Sequence, residues 1–424
     1  MAATISIDEI KKQDRRVIAK ELTFKPKFNF FNKNNNQAVR LFRSEEDTLY
    51  IPFNYYLDNF AKYPNENVDH KVVDFDFIVP LLERQESVVK EAIAILEKER
   101  SVILQLRPGF GKTATAIYLS SLSGYLTLVL HDRVALEEQW FKSYGVYSNA
   151  KVYIVGGKEV DDYDVIICSN KKYKKIPQEV RSRIGCIIFD ECHKFCTEGN
   201  RDLLLSFTPK YIIALSATVE RSNGMEQIIY SICGANNKVI RKNEVKHNIF
   251  KVETNFEPKT NNETAIWNSI IKQQMNSDER NEIVYRLVSK LASSKICILT
   301  SEVLHSQIIF DKLSETHEVA IMSGKRKTYS DSRILVGTVS KIGTGFDEEM
   351  CCPDFKGVRI QTLILVSSNK SHSIIEQVLG RSFRSDNPEI YSLVDDHKIC
   401  RDHWKELMKW SKANCGIVKE CSLE

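Results

Sequence analysis

The chain has 424 residues, of which 42% are hydrophobic and 27% charged, with a formal net charge of +4. This balance excludes a disordered or fibrous polymer and predicts a globular chain of two to three domains. The small net charge neither demands nor excludes nucleic acid, because a local basic track is enough to hold phosphates.

The N-terminal MAATISIDEIKKQDRR is charged and no apolar stretch follows it, which argues against a secretory signal. No apolar run is long enough to span a bilayer, so no membrane partner is expected. The eleven cysteines are scattered and form no CxxC pair, which suits free thiols in a reducing, intracellular setting. Residues 1–75 are rich in Asn, Lys, Phe and Tyr and read as a small N-terminal accessory domain. In it FKPKFNFFNKNNNQ is loop or short strands, and TLYIPFNYYLDNF carries the aromatic and β-branched residues typical of strands.

From residue 76 the pattern changes. Val88, Val89, Ala92, Ile93, Ile95 and Leu96 recur at helical spacing, and SVILQL follows as a short continuous apolar run, the signature of a strand buried on both faces. Further runs of that kind are LTLVL, KVYIV, DVIIC, CIIFD and YIIAL. Strands alternating with helical stretches predict an α/β lobe with a parallel sheet over residues 76–240. Residues 241–264 read as a polar connector. A second series, KICILT, EVAIM, RILVGT, QTLILV and EIYSLVD, predicts a second parallel-sheet lobe over 265–424, closed by the charged helix RDHWKELMKWSKA. On that helix His397, Cys400 and His403 could share a face, but such spacing rarely completes a metal shell, and ordinary packing is the better reading.

Three segments carry chemistry. RPGFGKT lies between a predicted strand and a predicted helix and contains the core of a P-loop. In the loop that Pro108 opens, the backbone N–H groups of Gly109, Phe110 and Gly111 would wrap around phosphates, Lys112 would meet the β/γ-phosphates, and the Thr113 hydroxyl would ligate Mg²⁺. Leu106 stands where the strict pattern has its first glycine, so the match is partial there. CIIFDECHKF sets Asp190 and Glu191 at the end of an apolar strand, where two acids are costly without a cation or a base role. Asp190 would hold Mg²⁺, Glu191 would polarise the attacking water, and His193 would relay the nucleotide state. QVLGRSFR places Gln377, Arg381 and Arg384 at spacings of one helical face, from which the guanidiniums could stabilise the charge of a transferring phosphoryl group.

With these motifs in this order, residues 76–400 resemble the superfamily 2 helicases of the DExH kind, which have two tandem RecA-like lobes. RPGFGKT looks like motif I, DECH like motif II, SAT (216–218) like motif III, TVSKIGTGFD like motif V and QVLGRSFR like motif VI. HDRVALEEQW resembles motif Ia, with His131 in the usual proline position. Within the superfamily the likeness is to helicases of large DNA viruses, notably the poxvirus transcript-release type, and to the phage UvsW type, on GFGKT, FEP, DERN, GTGFD and IEQVLGR.

The resemblance implies an ATP- and Mg²⁺-dependent DNA helicase of 3′-to-5′ polarity, located in host cytoplasm or virion. It further implies a link to the transcription machinery. It assigns Gln85 to adenine, Gly345 and Asp347 to the ribose, and Ser216 and Thr218 to coupling hydrolysis with lobe movement. It also assigns nucleic-acid contacts near Arg133, Ser169, Asn170, Thr300 and Thr338. The lysines of 171–175 and 325–327 are candidate phosphate contacts or a solvated face. The short interval between Asp347 and Gln377 leaves little room for a wedge hairpin, which predicts a better translocase than unwinder. DNA and RNA both remain open as substrate. A scaffold without turnover would leave Lys112, Asp190, Glu191 and Arg384 without purpose, and a P-loop kinase would explain neither the arginine segment nor the second lobe.

Overall fold

A computed structural model describes residues 1–25, 38–60, 62–107, 109–133, 135–158, 161–216, 224–242, 245–259, 266–291, 293–343, 346, 348–383, 385 and 387–421. Pro108, Thr218, Gly345, Asp347 and Arg384, and the side chain of Gln377, lie outside that description. The chain forms two compact units, one of Met1–Leu106 with Phe110–Lys242, the other of Arg107–Gly109 with Asn243–Glu424.

The first unit begins with strands β1 (Ala2–Ser6), β2 (Thr23–Phe24), β3 (Val39–Arg40), β4 (Arg43–Glu45) and β5 (Thr48–Pro52), of which β1, β5 and β4 form a small antiparallel sheet. This sheet has its own small core of Ala3, Ile5, Ile10, Ile18, Leu22, Leu49 and Ile51. It is nonetheless part of the first unit rather than the separate domain expected for 1–75. Ala2 N–H donates to the Phe207 carbonyl at 2.7 Å, and Asn54 Nδ2 donates to Ser101 Oγ and the Ile232 carbonyl, both at 2.8 Å. Lys238, only 3% exposed, joins buried Asn54 to Glu99 and to the exposed Asp58. Isolating the segment would leave those groups unpaired.

The main sheet of this unit contains β6 (Ser101–Leu106), β7 (Thr127–His131), β8 (Val152–Ile154), β9 (Val165–Ser169), β10 (Cys186–Phe189), β11 (Tyr211–Ser216) and β12 (Val239–Lys242). Their order is β12-β6-β11-β10-β7-β9-β8 and every pairing is parallel. The interior strands are buried along their length, as the unbroken apolar runs require, whereas the edge strand β8 is half-buried. The helix Glu83–Glu99 buries Val88, Val89, Ala92 and Leu96 on one face and ends at Arg100, whose φ of 58° turns the chain into β6.

The second unit carries a second all-parallel sheet of β13 (His247–Glu253), β14 (Ile296–Thr300), β15 (Val319–Met322), β16 (Ile334–Thr338), β17 (Thr362–Leu365), β18 (Glu389–Val394) and β19 (Gly416–Glu420), in the order β15-β16-β14-β17-β18-β13-β19. Two sheets of this kind with flanking helices are the two tandem RecA-like lobes expected. Two details differ from the sequence reading. Residues read as connector contain β13, which pairs with both β18 and β19. The chain does not close with a helix either: after Lys398–Ala413 it adds β19 at the sheet edge. Polar flanks around a short apolar core hid β13, and half-exposed residues hid β19.

Candidate active site

In the first sheet β6, β11 and β10 are neighbours, although long stretches of chain separate them. Their carboxyl ends therefore deliver the 107–112 loop, Ser216 and the Asp190–Glu191 pair to one edge, where open α/β sheets place their ligands.

The loop is shaped by Gly109 and Gly111, with φ of 76° and 103°, values that disfavour any residue with a Cβ. Gly111 is needed a second time: a Cβ there would lie 2.3 Å from Gln85 Nε2. Gln85 is 3% exposed, accepts from the Leu82 N–H at 2.8 Å and donates to the Gly111 carbonyl at 3.2 Å. The residue expected to read adenine thus also braces the loop. Arg84 Nε adds a bond to the Phe110 carbonyl at 3.3 Å. Lys112 Nζ donates to the Leu106 carbonyl at 2.8 Å, across the span the loop encloses. Helix Lys112–Ser123 begins there without a side-chain cap, so its first N–H groups are available to an anion.

Asp190 and Glu191 follow β10. Burial and the neighbouring Glu191 carboxylate push the Asp190 carboxyl up to about 7, against the opposing pull of a Trp140 hydrogen bond and of Lys112. A half-buried carboxylate so placed could hold a divalent cation, and the Thr113 hydroxyl is the other hard oxygen donor the motif could offer Mg²⁺. Glu191 adopts φ 48° and ψ 49°, a left-handed conformation uncommon for a residue with a Cβ. Its Oε2 is buried without a hydrogen bond and lies 3.3 Å from His193 Nδ1. That same His193 nitrogen is 2.8 Å from Ser216 Oγ at the end of β11. DECH and the start of SAT are therefore in direct contact.

In the second unit the arginine segment differs from expectation. Helix His372–Leu379 stops before Arg381, which sits in the following turn rather than on a helical face with Gln377. The turn buries Phe383, whose ring lies 5.0 Å from His247 and 6.3 Å from Trp410. Arg381 donates to the carbonyls of Phe346 at 2.6 Å and Gly343 at 2.7 Å, so its guanidinium holds the backbone at those two residues.

The residues expected to touch nucleic acid divide. Arg133 is exposed and Asn170 half-buried. Ser169, Thr300 and Thr338 are buried at the ends of β9, β14 and β16. Thr300 Oγ1 bonds to Ser306 Oγ at 2.6 Å and the Glu302 carbonyl at 2.9 Å, and Thr338 Oγ1 to Ser340 Oγ at 3.2 Å. These hydroxyls shape the strand ends instead of facing outward. Lys172 is bound by Glu137 at 2.9 Å, whereas Lys171, Lys174, Lys175 and the 325–327 run are exposed. His397 caps its helix by accepting from the Ile399 N–H, and His403 pairs with Ser368 at 3.0 Å.

Sequence reasoning missed two groups. Trp140 donates to Asp190 Oδ2 at 2.9 Å; the only signal was EQW within the motif Ia segment. In the second unit Arg280, from DERN, donates to Asp395 Oδ1 at 2.7 Å and the Val366 carbonyl at 2.6 Å. Thr254 and Gln274 also donate to Asp395, each at 2.6 Å. DERN and the residues leading into FEP are thus a structural hub.

Residues 78–221 match the family model described as Type III restriction enzyme, res subunit. The chain is 30% identical to "Putative helicase 161L" of Invertebrate iridescent virus 6 over the whole of both chains. It is 24% identical to "Transcript termination protein A18" of Yaba-like disease virus, covering 76% of this chain and 73% of that one. Among solved structures, the ATP-dependent Type ISP restriction-modification enzyme LlaBIII bound to DNA aligns with a TM-score of 0.55 at 12% identity, over 81% of this chain and 32% of that one, a likeness of fold.

Proposed function

Because the chain belongs to the superfamily 2 helicases, among those related to large-DNA-virus helicases, we propose that it is an ATP-hydrolysing motor. It moves 3′-to-5′ along one strand of DNA and serves transcript release or the remodelling of DNA complexes. The observation that carries this reading is the joining of Lys112, the Asp190–Glu191 pair and the His193–Ser216 contact at adjacent strand ends of one sheet.

The chemistry follows from the side chains. The loop N–H groups and Lys112 bind the phosphates, and Gln85 reads the base. Thr113 and Asp190 would hold Mg²⁺, which neutralises charge on the β- and γ-phosphates. Glu191 orients and deprotonates the attacking water. When the γ-phosphate leaves, His193 loses its balance between Glu191 and Ser216, and the change passes to the end of β11. Exposed Arg133, Lys171, Lys174, Lys175, Lys325 and Lys327 supply phosphate contacts, which position a strand without reading its sequence. Between residues 348 and 379 the described elements are the short helix Glu348–Cys351, β17 and helix His372–Leu379, with no hairpin among them. This supports a translocase that displaces bound complexes better than it unwinds long duplexes.

The test is the ATPase rate with single-stranded DNA, duplex DNA, forked DNA and RNA, with Lys112→Ala as the inactive control. Single-stranded and forked DNA should stimulate turnover most. Equal or greater stimulation by RNA would make the chain an RNA helicase, and no turnover with any of the four would leave the scaffold reading.

A further inference from the structure

We propose that Trp140 is a positioning residue for the metal-binding carboxylate: its indole N–H holds Oδ2 of Asp190 and leaves Oδ1 as the oxygen offered to a divalent cation. The inference rests on the ATPase reading above and adds a residue outside the P-loop and the acid pair.

Trp140 lies in helix Ala135–Tyr147, which follows β7, and is 2% exposed. Its Nε1 is 2.9 Å from Asp190 Oδ2, fifty positions away in sequence. The backbone of the same aspartate is held from the same side: the Asp190 N–H donates to the Leu130 carbonyl of β7 at 2.9 Å. Asp190 is thus fixed at two points by one strand–helix element. The indole is itself set in place. It lies 6.2 Å from the Tyr144 ring, and the Tyr144 hydroxyl is 3.2 Å from Ser120 Oγ. Ser120 belongs to the helix that begins at Lys112, so a buried chain of side chains joins the phosphate-binding helix to the carboxylate.

A buried indole N–H takes some acceptor in any core. Here the acceptor is a carboxylate with a charged neighbour and a ligand role, and groups that orient a ligand in this way tune metal affinity. Phenylalanine would fill much of the same space without the N–H.

The test uses the full chain. Mn²⁺ binding in the presence of ATP is followed by electron paramagnetic resonance, and ATP binding in EDTA and the melting temperature are measured beside it. Trp140→Phe should raise the Mn²⁺ midpoint on the order of tenfold, with metal-free ATP binding and melting little changed. In an Asp190→Ala background the same substitution should have no further effect on Mn²⁺. An unchanged midpoint in Trp140→Phe overturns the proposal, and leaves the ATPase reading intact where Asp190→Ala weakens Mn²⁺ binding. A wild-type chain that binds neither Mn²⁺ nor ATP overturns both. Should Trp140→Phe fail to fold, 3-benzothienylalanine at position 140 keeps the bicyclic shape without the N–H, and the same two outcomes decide.

Discussion

Each unit sets an aspartate at the carboxyl end of its sheet, and the two are treated in opposite ways. Asp395, 1% exposed, accepts from Arg280, Gln274 and Thr254, so its charge is met on every side the structure shows. Asp190 accepts from Trp140 and sits beside a second acid, and burial lifts its carboxyl to about 7. A saturated buried charge marks architecture, and breaking one side of it is costly. A buried charge left short of partners marks a place where something else is meant to bind. Two arginines of the second unit serve architecture in the same way: Arg280 and Arg381 both donate to backbone carbonyls and hold the unit's own chain in place.

This contrast can be broken by substitution. Glu191→Gln should lower ATP turnover on the order of 10²- to 10⁴-fold, with ATP binding retained and the melting temperature unmoved. Unchanged turnover would remove Glu191 from the base role. In the second unit Arg280→Ala should cost about 3–5 kcal/mol of stability in denaturant unfolding, because it strands a buried carboxylate. A loss under 1 kcal/mol would show that Asp395 is solvated.

A smaller effect comes from acid. Burial and nearby Arg280 depress the His305 imidazole to about 3, while Nε2 faces Asn281 Oδ1 at 2.9 Å. Unfolding lets the ring take up a proton near its ordinary value of about 6.5, so the unfolded state binds more protons in the window between the two values. Stability is full above pH 6.5 and falls as the pH drops towards 3. At pH 5 the loss is about 2 kcal/mol, read as the difference between the wild type and His305→Gln. Smallest of all, Thr300→Val should cost about 1 kcal/mol and leave DNA affinity unchanged. A large fall in affinity would return Thr300 to the nucleic-acid contacts.

The sequence alone was enough for the two parallel-sheet lobes, the P-loop, the acid pair and the helicase likeness. Each is written in consecutive residues: an unbroken apolar run such as CIIF means a strand buried on both faces, and Gly-Lys-Thr after such a run means a phosphate cradle. Only the tertiary structure decided who meets whom. Trp140 and Asp190 are fifty positions apart, and Arg280 and Asp395 more than a hundred, so no local period relates them. The same holds for β13, which looked like a polar connector because its pairing partners lie near the other end of the chain. Arg381 shows the limit most plainly. Its spacing from Gln377 suggested one helical face, but burying Phe383 ended the helix first and turned the guanidinium onto two carbonyls. Burial over long range outweighs local periodicity where the two conflict, because the apolar area removed from water is worth more than the last turn of a short helix.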